Sequence, residues 1–260
     1  MKNIWAIAER ELKAYFTSPI AYVVLTIFIF LSGYFFSQMV GNMSQVASMN
    51  AMRSAQSGQP PEPIDMPGEI SKAFFNVHLS IMLFILPMIT MALFSEEKKR
   101  GTIELLLTAP VTDAQVVLGK FLAAGLFYVI LLATTLVDVG ILFVYSNPSI
   151  GPIVSGYLGI LLYGLAVISI GMFISTLTEN QIIAAILTFA AILMLVLINA
   201  TSRSFGPAIS SILSYLSIFE HVDDFLMGVI STSHIIFYIS FMLVGLFLTY
   251  RSLDSLRWRG

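Results

Sequence analysis

The sequence predicts an all-α membrane protein in which residues 1–260 form a single transmembrane domain with six transmembrane helices. Hydrophobic residues make up 57% of the chain and charged residues only 11%, whereas a soluble domain carries about 25% charged residues. Six apolar runs approach or exceed the roughly 20 residues that a helix needs to cross a bilayer. These runs are residues 20–36, 77–94, 121–145, 153–177, 182–200 and 235–250.

The composition also limits the chemistry and the partners. The chain has no cysteine, so it contains neither a disulfide framework nor a thiolate metal site. A formal net charge of −2 gives no reason to expect a nucleic-acid partner. No small-residue cleavage site follows the first apolar run, so we expect no cleaved signal peptide.

The distribution of basic residues predicts the orientation. Six spans place both termini on one side, and ten lysines and arginines lie on that side against three on the other, Arg53, Lys72 and Arg203. Cytoplasmic segments are the ones enriched in basic residues. We therefore expect the N- and C-termini in the cytoplasm. The ten are Lys2, Arg10, Lys13, Lys98, Lys99, Arg100, Lys120, Arg251, Arg257 and Arg259.

Residues 3–17 predict an amphipathic helix that lies at the interface on the cytoplasmic face of the membrane. On a helical wheel the apolar side chains share one half, while Glu9, Arg10 and Lys13 lie on the other. Glu11 falls inside the apolar half. Two interpretations are open: it snorkels or pairs with a nearby lysine, or it contacts a polar group on a partner.

Two long segments are predicted on the outer side. Residues 41–70 contain GQPPEPIDMPG, and proline at this density does not support a regular helix, so we expect an external loop. Within residues 201–233, Ile209, Ile212 and Leu216 recur at helical spacing, and the apolar stretch FLMGVI follows. We expect two short external helices that re-enter the outer leaflet before the last span.

The cytoplasmic segment between the second and third spans reads FSEEKKRGTIELLLTAPVTDAQ. Residues 95–97 predict a helix start, since a serine cap is followed by two acids. Gly101 predicts a break, Thr102 the cap of a second short helix, and Pro110 its end. Thr112 or the following aspartate then caps the third span.

Three consecutive leucines, Leu105, Leu106 and Leu107, lie in this segment on the predicted aqueous side, among charged residues. Three leucines in one helical turn do not all face the same bundle. Either residues 95–112 fold back on the lipid headgroups, or the leucines fill a groove on a cytoplasmic partner.

Several stretches resemble one family. FSEEKKRGTIELLLTAPVTDAQVVLGKFLA resembles the signature cytoplasmic segment of type-2 ABC transporter permeases, and RELKAYFTSPIAYVVLTIFIFLSGYFF resembles their elbow helix and first span. YLGILLYGLAVISIGMFISTLTENQIIAAILTF is similar to their fourth and fifth spans. SIFEHVDDFLMGVI, with RSLDSLRWR, resembles a branch that includes permeases of bacterial gliding motility and of copper-enzyme maturation. The insert at 41–70 departs from the shorter members.

The resemblance implies a permease subunit in the bacterial inner membrane that is not itself an enzyme. The chain contains no G-x-x-x-x-G-K-[ST] phosphate loop, so ATP and Mg²⁺ would bind to a separate ATPase. Two ATPase subunits and a second permease, identical or homologous, would complete the unit, with lipid around it and a candidate periplasmic partner. The implied coupling residues are Glu96, Glu97, Arg100, Gly101, Thr102, Glu104, Leu105, Leu106 and Leu107, with Glu11, Glu179 and Asn180 as additional candidate contacts.

Isolated polar residues support weaker hypotheses. Asp138 lies near the outer end of the third span, where it either forms structural hydrogen bonds or lines a translocation path. Glu179 and Asn180 form a turn that is either only structural or faces the ATPase. The acids around His221 are weak evidence for a metal site, and we expect a helix cap and surface ion pairs there. We predict no catalytic or metal residue.

Three rival functions differ in what they require. A membrane-embedded enzyme needs a catalytic constellation, and Asp138 is alone in its span. An ion-driven secondary transporter usually has ionisable groups or broken helices near the midplane, and spans four and five contain no charged residue. A machine that works mechanically on periplasmic partners without transport remains open.

The topology can be tested by cysteine labelling, because no native cysteine interferes. Ser57→Cys should react with an impermeant reagent in intact cells, and Thr108→Cys should react only after permeabilisation. The opposite pattern would reverse the orientation.

Overall fold

The computed structural model describes residues 2–58, 60, 65–103, 111–202 and 207–257. Every regular element within these ranges is an α-helix. In chain order they are α1 (Lys2–Thr17), α2 (Pro19–Ser57), α3 (Met66–Thr90), α4 (Ala92–Lys99), α5 (Asp113–Thr134), α6 (Leu136–Tyr145), α7 (Ile150–Ser175), α8 (Gln181–Ser202), α9 (Pro207–Leu216), α10 (Glu220–Leu226) and α11 (Thr232–Arg257).

Six segments of the described chain are long and apolar enough to cross a membrane, which confirms the predicted number of spans. The second span consists of α3 and α4, and the third of α5 and α6, each pair separated by a single residue. The spans are Pro19–Ser57, Met66–Lys99, Asp113–Tyr145, Ile150–Ser175, Gln181–Ile198 and Thr232–Ser255.

Helix α7 lies at the centre of the bundle and packs against α3, α5, α8, α10 and α11. Small residues along it allow this close approach. A Cβ atom added at Gly164 would lie 2.2 Å from the ring of Tyr128, and one at Gly159 would lie 2.7 Å from Phe225. The buried Ser155 hydroxyl donates a hydrogen bond to the Phe225 carbonyl at 2.6 Å.

The predicted loop over 41–70 is wrong at both ends, because α2 continues as a helix to Ser57 and α3 already begins at Met66. Residues 41–57 contain no proline and are rich in Ala, Met, Gln and Ser, of which Ala, Met and Gln are good helix formers. The prolines lie at 60, 61, 63 and 67, after the Gly58 cap that ends α2. Residues 59 and 61–64 lie outside the described residues, and α3 starts after an Asp65 cap.

The two helices predicted within 201–233 are present as α9 and α10. The second begins at Glu220, ahead of the FLMGVI stretch. The hydroxyl of Tyr238 on α11 donates to the Ile218 carbonyl at 2.6 Å and so holds the α9–α10 connection against the bundle. Residues 203–206 and the side chain of Ile209 lie outside what the structure describes, and re-entry into the leaflet stays a prediction.

The packing at the α5–α7 crossing predicts a penalty for Gly164→Ala. The new methyl group would overlap the fully buried Tyr128 ring, and overpacking of this kind costs about 1–3 kcal/mol. The matched control is Gly140→Ala, since an added Cβ there meets no atom within 4 Å. Thermal unfolding in detergent should show a lower Tm for Gly164→Ala alone; equal Tm values would contradict this packing.

Candidate functional site

The predicted cytoplasmic segment starts as a direct continuation of the second span. Ser95 lies inside α4, and its hydroxyl donates to the Met91 carbonyl. The prediction that Ser95 caps a new helix is therefore wrong. Leu93 and Phe94 are buried. The packed apolar surface of the second span therefore continues up to Ser95, where the capping residues alone would predict the start of a separate helix.

The break predicted at Gly101 is present. Gly101 has φ 67°, a left-handed conformation that glycine adopts without a Cβ penalty. Its N–H donates to the Lys98 carbonyl at 3.1 Å, and the N–H of Thr102 donates to the Glu97 carbonyl at 3.0 Å. This pair of bonds is a Schellman motif, which ends α4 and fixes the direction in which the chain leaves it.

The tip of the segment, including Glu104 and Leu105–Leu107, lies outside the described residues. The return into the third span is capped as predicted. The Thr112 hydroxyl accepts from the Gln115 N–H at 3.4 Å, and the Gln115 side chain accepts from the Thr112 N–H at 3.3 Å. This capping box gives the segment a second defined end.

A buried ion cluster joins the root of the segment to two other helices. The Lys120 ammonium on α5, with a side chain only 1% exposed, lies 3.0 Å from Glu97 Oε1 on α4 and 3.1 Å from Glu11 Oε2 on α1. Arg10 contacts Glu11 at 2.6 Å and Glu97 at 3.9 Å. We call Arg10, Glu11, Glu97 and Lys120 the Lys120 cluster.

The cluster explains why Glu11 interrupts the apolar half of α1. Of the two interpretations, the structure supports pairing with a lysine of the same chain. Burial raises the pKa of Glu11, but Lys120 and Arg10 outweigh burial and hold that pKa below its ordinary value. Glu11 therefore stabilises the fold above its unfolded-state pKa, and this contribution is lost as the pH falls through the folded-state pKa.

Further polar contacts connect α4 to α7 and α11. The Phe94 N–H donates to the Ser175 hydroxyl at 2.9 Å, and Lys98 Nζ donates to the Thr176 carbonyl. The Thr176 hydroxyl in turn donates to Ser252 on α11 at 2.8 Å. The root of the segment is thus bonded to helices on both sides of it.

Several predicted site residues line one cleft of about 810 Å³ between α1 and α4. Arg100 and Glu96 form an ion pair at 2.5 Å on its wall. Glu179 and Asn180 lie elsewhere, exposed at the α7–α8 turn, where Asn180 Oδ1 accepts from the Ile182 N–H at 2.9 Å and caps α8. The predicted residues lining the cleft are Glu11, Glu96, Glu97, Arg100 and Thr102.

Asp138 lies far from this cleft in a polar network of α2, α3 and α6. The Ser32 hydroxyl donates to Asp138 Oδ2 at 2.5 Å and contacts His78 Nε2 at 2.9 Å. His78 Nδ1 lies 2.7 Å from the Phe74 carbonyl. The hydrogen-bonded role proposed for Asp138 has a structural basis here, and a place on a translocation path stays a prediction. Sequence reasoning missed Ser32 because residues 106 positions apart share no local pattern.

The acids around His221 do not converge as ligands. No group of three or more His, Cys, Asp or Glu side chains in the described ranges is arranged to hold a metal ion. His221 instead pairs with His234, at 2.9 Å between the two Nδ1 atoms. Sequence reasoning did not single out His234.

Known proteins resemble this chain over most of its length. The family model described as "ABC-2 family transporter protein" matches residues 5–253. "Probable multidrug ABC transporter permease YbhR" of Escherichia coli strain K12 is 25% identical over 176 residues, and the protein of the same name from Escherichia coli O157:H7 matches equally. The match covers 63% of this chain and 46% of that relative, so the chain spans less than half the length of these curated proteins.

Removal of the central charge of the Lys120 cluster tests the site. Lys120→Met leaves the largely buried Glu11 and Glu97 with only the more exposed Arg10 as a counter-charge, and breaking a buried pair costs about 3–5 kcal/mol. Lys13→Met, which removes a solvent-exposed pair with Glu9, should leave the stability almost unchanged, because exposed ion pairs contribute little. Thermal unfolding measures both.

A triple variant, Lys120→Met with Glu11→Gln and Glu97→Gln, should recover most of the lost stability, because the one charge of the cluster that remains, on Arg10, is 59% exposed to solvent. Equal stability of Lys120→Met and Lys13→Met would show that the cluster is not a buried ion network.

Proposed function

The chain belongs to the ABC-2 transporter family as a membrane permease subunit, and we propose that residues 95–112 couple its spans to a separate ATPase that drives export. ATP and Mg²⁺ bind to that ATPase in this proposal. The permease lies in a bacterial inner membrane with both termini in the cytoplasm, so that the segment faces the ATPase.

The observation that carries this proposal is the bonding at the root of the segment. A displacement of α4 acts on α1 and α5 through the Lys120 cluster and on α7 through Ser175 and Thr176. A switch requires two packed arrangements and a ligand that favours one of them. ATP-driven closure of the ATPase dimer supplies that bias, and the bonded root transmits it to the spans.

The contact with the ATPase is apolar at its centre. Leu105–Leu107, with Glu104, insert into a groove of the ATPase, and burial of one leucine contributes roughly 1.5–3 kcal/mol. The Glu96–Arg100 pair and Thr102 lie on the wall of the cleft. Glu179 and Asn180, exposed at a turn on the same side, form a secondary contact.

A second permease subunit covers part of the exposed apolar surface. Large apolar side chains are exposed on three helices, for example Phe30 on α2, Met194 on α8 and Leu243 on α11. Lipid covers the remainder. An identical or a homologous subunit would satisfy the proposal, and Asp138 remains the candidate residue of the translocation path.

A second candidate function is mechanical work on an external partner without transport. The observation in its favour is the length of α2, which at 39 residues extends about 58 Å and exceeds the roughly 30 Å hydrocarbon core. Met49 and Met52 near its far end are 57% and 66% exposed. ATP-dependent accumulation of substrate in inverted vesicles would exclude this candidate.

The coupling proposal predicts the behaviour of Leu105→Asp/Leu106→Asp. Two charges in an apolar contact should abolish docking of the ATPase, while membrane insertion continues because the residues lie outside the spans. The matched control is Met49→Asp/Met52→Asp at the opposite end of the molecule. Co-purification of the ATPase and permease-stimulated ATP hydrolysis should be lost only in the leucine variant. If it still binds and stimulates the ATPase, the contact lies at Glu179–Gln181 or on α1.

A further inference from the structure

We propose that His221 and His234 form a binding site for a divalent transition-metal ion such as Zn²⁺, where α10 packs against the start of α11. The two Nδ1 atoms face each other at 2.9 Å. His221 Nε2 lies 3.0 Å from the Tyr215 carbonyl, and His234 Nε2 lies 2.8 Å from Asp224 Oδ2. The coupling proposal does not require this metal site, so a negative result for one proposal leaves the other unaffected.

The partners of the outer nitrogens assign the protons. A carbonyl oxygen and an ionised carboxylate only accept hydrogen bonds, so both Nε2 atoms carry hydrogen. Each Nδ1 atom then presents its lone pair toward the other ring. The pair therefore directs two ring nitrogens at one point between α10 and the start of α11.

This is the arrangement that metal-binding histidines require. A ligating histidine typically donates its other ring N–H to a carboxylate or a backbone carbonyl, which fixes the tautomer and the ring orientation. His234 has the carboxylate and His221 has the carbonyl before any ion binds. At Zn–N bonds of about 2.0–2.1 Å, two tetrahedral ligands stand about 3.3 Å apart. The rings need to separate by only a few tenths of an ångström.

The ion class follows from the ligands and their surroundings. Imidazole suits zinc, copper and nickel, and the chain has no cysteine to compete. His234 is 17% exposed and Asp224 50% exposed, which gives water access to complete the coordination of an ion held by two protein ligands.

Binding forms both Nδ1–metal bonds, while both Nε2 hydrogens stay on their acceptors. Any proton held on Nδ1 leaves to solvent, because a histidine ligand must offer its lone pair to the ion. The sequence pattern missed the site because the second histidine lies 13 residues from the first and on another helix.

The test is Zn²⁺ titration calorimetry on the purified full chain, with an affinity tag that contains no histidine. We expect one Zn²⁺ per chain. His221→Ala should lose binding, and so should His234→Gln, a more exposed position that keeps the test available if the first variant does not fold.

Two further variants separate a built site from general affinity. Asp224→Asn keeps an acceptor but removes the charge behind His234, and should weaken binding about 10–100-fold. His78→Gln changes the only other histidine of the chain and should bind Zn²⁺ as the unmodified protein does. Absence of Zn²⁺ binding in the unmodified protein, or binding that survives both His221→Ala and His234→Gln, would overturn the proposal.

Discussion

Lys120 is buried near the first residues of the third span, and the packing of α1, α4 and α5 around it depends on how its charge is compensated. A buried ammonium is stable only with close counter-charges, and here they come from Glu11 on α1 and Glu97 on α4. Neither acid is adjacent in sequence to the lysine or to the other acid. The charge balance is therefore complete only when α1, α4 and α5 are assembled in one arrangement.

That arrangement also determines where the cytoplasmic segment begins and ends. Glu97 lies one turn before Gly101, where α4 stops, and Lys120 lies two turns after the capping box that starts α5. The ion cluster thus fixes the distance between the two ends of the segment. Both ends of the segment are thus held in a defined geometry. This suits a segment that transmits force, because free movement at either end would absorb the displacement.

The sequence predicted the features that depend on local pattern or on the bilayer. Span number follows from apolar length, and the Thr112 cap and the Gly101 break follow from residue type at helix ends. Glu11 was the informative anomaly, since a carboxylate on an apolar face requires a partner. Ser95 was misleading because buried Leu93 and Phe94 continue the helix through a capping signal.

The sequence did not predict contacts between residues that lie far apart in the chain. It also gave a wrong end for α2, because residues 41–70 were treated as one segment. The Ser32–Asp138 bond joins residues 106 apart, and the His221–His234 pair joins two helices. Periodicity within one element contains no information about either. Residues 41–57 of α2 were predicted as part of a loop because the proline content was judged over the whole of 41–70. All four prolines of that segment follow Gly58, and its first half contains none.

Both proposed activities, export and mechanical work on an external partner, would depend on the long α2 helix. Only Ser18 separates it from α1, and the hydroxyl of Tyr15 on α1 donates to the Ile89 carbonyl on α3 at 2.8 Å. The cluster that holds the cytoplasmic segment therefore also holds the base of a helix that extends roughly 28 Å beyond a bilayer core if it stands upright. A small rotation at this base becomes a larger displacement at the far end. Export and mechanical work on an external partner would use the same lever, and they differ in what its outer end contacts.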